Sequence, residues 1–460
     1  MSRRRAVQRR AGADALKVLA LPVVGVLLVA VGVVVGPAEQ PATGPREVPL
    51  VSSVVACPLQ GALTASVGQP EAGGASEITS ITGEESVTTD LDPAAWTASA
   101  GAGDAAIVRH EGSAGGVAYA AGQLPPGNGL VVTPCPQVAD DSWYLGAGTS
   151  ERHASSLVLT NVADVVGSVD VELWGPAGPI DAVDETGIVV EPGQTRTIAI
   201  SDLAVGADDV AVHVTRTRGA VVTSMVDTST SVLAGSEVLS SSGEPSTETV
   251  LPGVAAAGTR SLLLANPGST AATVTVNQTG ADADFVPEGL DAVQVPAGTV
   301  LAVPIPQASG TEATAFRITS DEPVLSVVRV TSSDRDFAYA TAAPAVTGPV
   351  VVPVATGLGP VRPVLQLLAD DAEAQVTVEA FDATLTSVGS TTVTVGHEVL
   401  AAVDLADPEA FASPDVAYVV VRSDAPVHGT AVYRTSNLLA LVSLVEAPLT
   451  ALGPNVEPGF

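Results

Sequence analysis

The chain repeats itself at a period too long for a solenoid. The apolar run SLVLTN at 156–161 returns as SLLLAN at 261–266 and as LQLLAD at 365–370. The runs end on Asn161, Asn266 and Asp370, which are 105 and then 104 residues apart. About a hundred residues can bury a core of their own, so the spacing points to tandem domains rather than stacked small repeats.

The rest of each copy follows in register. A Pro-Val-Ala signal opens it, as PQVA at 136–139, PGVA at 252–255 and PVA at 353–355. After the apolar run come SVDVELW, ATVTVNQ and QVTVEAF, then a glycine turn entering a strand in EPGQTRTIAI, PAGTVLAVPI and TVGHEVLAAV. Each copy closes on a long segment broken by Gly219, Pro323 or Pro426, which reads as the turn of a final hairpin. The alternation has period two. Val169, Val171 and Leu173 fall on one face, and Asp170 and Glu172 on the other, as in a half-buried antiparallel strand. The Asn or Asp ending each apolar run reads as a turn residue whose short side chain bonds nearby backbone.

The expected fold is all-β: an N-terminal transmembrane helix followed by tandem immunoglobulin- or fibronectin-like β-sandwich domains. No Cys…Trp…Cys pattern lies inside a copy, so a true immunoglobulin domain is not indicated. The expected boundaries are a basic cytoplasmic tail at 1–17, a transmembrane signal-anchor at 18–35 and a linker at 36–49. A separate N-terminal β unit at 50–136 and three sandwich repeats at 137–250, 251–350 and 351–460 complete the chain. Three such units in a row would reach on the order of 100 Å.

Location follows from the N-terminus. Arg3, Arg4, Arg5, Arg9, Arg10 and Lys17 precede VLALPVVGVLLVAVGVVV, an uncharged run of 18 residues. As a helix at about 1.5 Å per residue it nearly spans a ~30 Å hydrocarbon core, with the basic end retained in the cytoplasm. A secreted chain released by signal cleavage is the competing reading, but Pro37 follows the best small-residue candidate, Val34-x-Gly36. Either way the bulk is extracytoplasmic. The two cysteines, Cys57 and Cys135, are then expected to form a disulfide.

Beyond the N-terminal cluster thirteen basic residues face forty-nine acidic ones, a surface that repels nucleic acid. Chemistry-bearing motifs are sparse. The five histidines show no metal-ligand spacing, no nucleophile elbow surrounds a serine, and Lys17 is the only lysine, which excludes a phosphate-binding loop. Ser150 and His153 are close in GTSERHASS, but triads draw their members from distant segments. The acid pairs 140–141, 208–209, 282–284, 334–336 and 370–371 lack a calcium-loop pattern and read as loop tips. No catalytic residue, cofactor or metal is expected. In DDSWYLGAG, Trp143 and Tyr144 are the candidate glycan contacts, the alternative for Trp143 being to plug a core.

The basic anchor, the early two-cysteine unit, PCPQVADDSWYLGAG and the tandem sandwiches together resemble a family of uncharacterised actinobacterial membrane-anchored proteins, carried as a domain of unknown function. The resemblance covers roughly 50–450. It implies an envelope location, often with a gene near a membrane glycosyltransferase, and assigns no catalytic or binding residue. The expected role is a structural or interaction module in the bacterial cell envelope, not an enzyme, with an envelope protein or glycan as partner. The alternative is a carbohydrate-binding accessory protein for envelope glycan assembly or export.

Overall fold

The repeated run is more apolar than a half-buried strand requires, and the computed structural model shows why. In the third of four sandwiches Leu262 and Leu264 point into that sandwich's own core, while Leu263 and Ala265 pack against the sandwich before it. In the second, Leu157 and Leu159 face inward and Val158 packs on the first. A strand buried on both faces reads as a continuous apolar run.

The structure describes residues 46–49, most of 52–446, and 450–453; it leaves out 1–45, 454–460 and short internal stretches, of which 69–74, 307–312 and 355–360 are the longest. The basic tail, the 18–35 span and most of the 36–49 linker lie outside the described residues. Among the described residues no helix is long and apolar enough to cross a membrane, and the one helix is Ile200–Leu203.

One strand order recurs four times, over 52–134, 141–239, 246–340 and 350–443. Counting strands along each sandwich, one, six, three and four make one sheet, and five, two, seven and eight make the other. The fourth place is filled by short pieces in sandwiches two and three. The segment read from sequence as a separate N-terminal unit therefore shares the topology of the repeats.

Two sequence expectations need correction. The last two segments of each copy are not a hairpin: strand six lies in one sheet and strand seven in the other. In sandwich three a single run, Thr314–Thr331, pairs first with Ser246–Val254 and Ala272–Thr279 and then with Thr259–Asn266. Pro323 marks this crossing between sheets, and the eighth strand then returns beside the seventh.

The third copy is also offset by one residue. Asn161 pairs with Val221, and its equivalent by pairing and by core face is Ala369, which pairs with Val427. Asn161 and Asn266 do the same work. Asn161 Nδ2 donates to Val165 O at 2.8 Å and Val190 O at 2.9 Å, and its Oδ1 accepts from Ala163 N at 3.0 Å. Asn266 Nδ2 donates to Thr270 O and Val295 O at 2.7 and 3.2 Å, and Oδ1 accepts from Gly268 N at 3.0 Å. Ala369 has no such group. Asp370 instead reaches sideways, to His428 Nε2 at 3.1 Å and Arg317 Nη1 of sandwich three at 3.9 Å.

Within Pro49–Leu449, one compact unit, the sandwiches close on themselves instead of forming a row. Sandwich one meets two through Val55, Val158, Val226 and Val238. Two meets three through Leu145, Leu263, Val327 and Tyr339. Three meets four through Val254, Val432 and Leu441. Four returns to one, where Trp96 stacks on Tyr418 at 4.8 Å and the Tyr119 hydroxyl donates to Val351 O at 2.5 Å. The Cys57–Cys135 disulfide ties the first and last strands of sandwich one. Outside this unit, Arg46–Pro49 pairs with Thr450–Gly453.

The eighth strands, Gly129–Pro134, Gly235–Leu239, Phe337–Ala340 and Leu439–Ser443, touch one another in ring order. Between them sits the Asp336 carboxylate, 0% exposed. It accepts from the main-chain N–H groups of Leu439 at 2.9 Å, Phe337 at 3.0 Å and Leu130 at 3.2 Å, so one side chain binds sandwiches one, three and four. A Cβ on Gly129 would collide with the Ser236 backbone and come within 2.9 Å of Asp336 Oδ1, so only glycine allows sandwiches one and two this close. Burial raises the Asp336 pKa to about 7 against the pull of those three N–H groups. Glu237, from sandwich two, is raised well above the ordinary carboxylate value by burial and then by the charge of Asp336.

Two outcomes are expected. Asn266→Ala removes the side chain that holds the Thr270 and Val295 carbonyls and the Gly268 N–H, and should cost roughly 1–3 kcal/mol in urea unfolding; a cost within error of zero would refute this role. The raised pKa values of Asp336 and Glu237 mean that the folded state holds protons the unfolded state has released. Stability should therefore fall as pH rises from about 4 toward about 7. Glu237→Gln keeps the acceptor for Val238 N without the charge, so it should flatten that slope and raise stability at pH 8. Identical slopes for both proteins would show that the centre does not control it.

Candidate functional site

Sandwich two carries an aromatic row on its outer face, set by strand register. Trp143 lies opposite His213, and His213 opposite Glu172 on the next strand. The imidazole stacks on the Trp143 indole with centroids 3.9 Å apart and planes 8° apart. Its Nε2 is 2.9 Å from Asp141 Oδ1 and its Nδ1 is 3.1 Å from Glu172 Oε2. Trp174, two residues beyond Glu172 on the same face, tilts toward Trp143 at 5.3 Å.

The opposite wall comes from sandwich three. The Asn266-Pro267-Gly268 turn and the Glu322-Pro323 corner face the tryptophans, with Pro245 from the connecting segment between them. Together they line an open cleft of about 350 Å³. The turn is stiffened by the three Asn266 hydrogen bonds. The junction behind the cleft is pinned by polar contacts. Tyr339 donates its hydroxyl to Asp227 Oδ2 at 2.9 Å, with Gly146 O 3.2 Å away, and Arg329 pairs with Asp209. Burial lifts the Tyr339 pKa well above the ordinary phenol value, and the nearby Asp227 charge adds to this. For Arg329 burial acts to lower the pKa, but Tyr339 and Asp209 outweigh it and the net shift is upward.

The residues singled out by sequence fall in different places. Trp143, 8% exposed, both packs on the core and lines the cleft. Tyr144 is 2% exposed, because neighbouring residues on a strand face opposite ways. Its hydroxyl lies 2.8 Å from Thr223 Oγ1, and burial pushes its pKa up to about 12 against that bond. Tyr144 is thus turned away from the surface that Trp143 borders.

Ser150 and His153 are neighbours without a relay. Ser150 Oγ contacts the His153 main-chain N at 3.1 Å and Asp208 Oδ1 at 3.3 Å, while His153 Nε2 is bound to buried Asp227 at 3.1 Å. Burial works to lower the His153 pKa, and Asp227 reverses it to a net rise. Of the acid pairs, Asp140 pairs with Arg216, Asp209 with Arg329, and Asp336 occupies the ring centre. Among the described residues no group of three His, Cys, Asp or Glu could hold a metal ion.

Residues 95–406 match a family of unknown function, DUF5719. The chain belongs to this family. The matched span includes both walls of the cleft and three of the four strands meeting at the ring centre: all but Leu439–Ser443. No curated protein matches the chain. Trp174, His213 and Glu322 were not singled out from sequence, although a signal existed. The period-two pattern that sends Val169, Val171 and Leu173 inward puts Trp174 on the polar face with Glu172, an unusual place for an indole.

Proposed function

We propose that this chain is a membrane-anchored interaction module of the cell envelope, with residues 18–35 as the anchor and the ring of sandwiches outside the cytoplasm. The observation that carries the reading is the closed ring, in which every sandwich is held by two neighbours. Such a body suits presentation of a fixed binding surface better than a reaction cycle with moving parts. The Cys57–Cys135 disulfide supports an oxidising compartment. The acidic surface opposes nucleic acid, and the partner is an envelope protein or glycan.

Protease added to intact spheroplasts should digest the ring while sparing the basic N-terminal tail. Alkylation before reduction should find no free thiol. Protection of the whole chain, together with two free thiols, would place it in the cytoplasm and end this reading.

A second reading, an accessory protein that binds envelope glycan, is favoured by one observation: Trp143 and Trp174 meet in an open cleft. Indoles cover the apolar faces of sugar rings, contributing area with little entropy loss. The full chain should be retained on immobilised envelope polysaccharide, and Trp174→Ala should release it. Equal retention of both proteins would rule out this cleft as the glycan site.

A further inference from the structure

The cleft between sandwiches two and three has a definite polarity. Its lining contains Glu172 and Glu322 and neither lysine nor arginine. The side-chain amide and imidazole donors are already engaged. Both hydrogens of Asn266 Nδ2 are committed to main-chain carbonyls. Both nitrogens of His213 face carboxylates. What remains is carboxylate oxygen, the two indoles with their N–H edges, and proline.

Glu322 is the distinctive member. It is half-buried, its main-chain carbonyl is used by Ser320 Oγ, and among the described residues no donor or cation meets its carboxylate. A carboxylate without a partner beside an indole is complementary to a cation with an apolar flank. The ammonium would donate a charge-assisted hydrogen bond to Glu322 and gain a cation–π contribution from the ring. Anionic ligands meet the repulsion of two carboxylates and find neither lysine nor arginine.

Resting on the glycan reading above, we propose that this cleft binds a sugar residue bearing a free amino group, a de-N-acetylated hexosamine. Trp174 covers the pyranose face, and Glu322, with the outer part of Glu172, receives the ammonium. The volume, about 350 Å³, lies at the low end of small-ligand sites, which run from about 300 to 1,000 Å³. It therefore suits recognition of a short stretch of chain rather than enclosure of a long one.

The test is calorimetric titration of the full chain with a β-1,4-linked glucosamine tetramer and with its fully N-acetylated counterpart, at mildly acidic pH and low salt. The amino form should bind at least about tenfold tighter, a difference of about 1.4 kcal/mol. Glu322→Gln should remove most of that preference while leaving the unfolding midpoint unchanged, and Trp174→Ala should weaken both ligands. Trp174→Phe, which keeps a ring, should restore part of the affinity if stacking is the contact.

Equal binding of both tetramers, lost in Trp174→Ala, would overturn selection for the ammonium and leave the glycan reading standing. Binding of neither would remove both. Equally tight, Trp174-dependent binding of a tri-lysine peptide would show a general ammonium site and overturn the assignment to a sugar.

Discussion

The structure depends on strands that are buried on both faces. In an isolated sandwich the second and seventh strands would bury one face in their own core and leave the other in water. Here the other face is covered by the preceding sandwich: Leu263, Val327 and Tyr339 share a core with Leu145 and Leu173 of sandwich two. Fully burying a large apolar side chain is worth about 1.5–3 kcal/mol, so several at each junction outweigh the ordinary gain of a flexible tandem array. The ring follows because the same face is presented four times, and sandwich four has only sandwich one left to meet. Polar edge strands complete the pattern. Glu85–Leu91 is exposed along nearly its whole length, and Ser387–Val395 is rich in serine and threonine, which discourages pairing with other chains.

Closing a ring brings four backbones to one place, and something must satisfy them there. Asp336 does so with a single carboxylate for three N–H groups. The solution is costly, since a buried carboxylate is destabilised and Glu237 beside it more so. An apolar replacement would relieve the charge but strand three buried donors, each worth roughly 1–3 kcal/mol. The centre is thus a compromise in which geometry takes precedence over electrostatics. The glycines at 129 and 235 belong to the same compromise, because side chains there would hold the backbones beyond hydrogen-bond reach.

Much of the local structure was legible. The strands, the roughly hundred-residue period, the Asn turns and the disulfide each have a short-range signal in hydrophobic alternation, Asx chemistry or cysteine count. The failures are all non-local. TASVG at 64–68 holds the place that SLLLAN holds in sandwich three, yet it lacks the leucines, so the first copy does not align by eye. Pro323 and Pro426 announce a change of direction but not whether the chain returns to the same sheet. The one-residue offset at Ala369 is invisible because Asp370 imitates the missing Asn. Ring closure cannot be read from any window of sequence, although the unbroken leucine runs carried its cause. At the cleft Trp143 was visible as an aromatic cluster, whereas Trp174 and His213 come beside it only through pairing across three strands.

The two levels meet at the junction of sandwiches two and three. The cleft has one wall on each, so its width is set by whatever fixes one sandwich against the other. That is the buried layer behind it: Tyr339 on Asp227, Arg329 on Asp209, and the shared leucines. In a flexible tandem array the same residues would meet only part of the time, and a ligand would bear the entropy of bringing them together. In a ring each junction is constrained by the other three, and that cost falls on folding instead. A row of sandwiches could carry the same tryptophans. The closed arrangement holds both walls of the cleft, Trp174 on one and Glu322 on the other, before any ligand arrives.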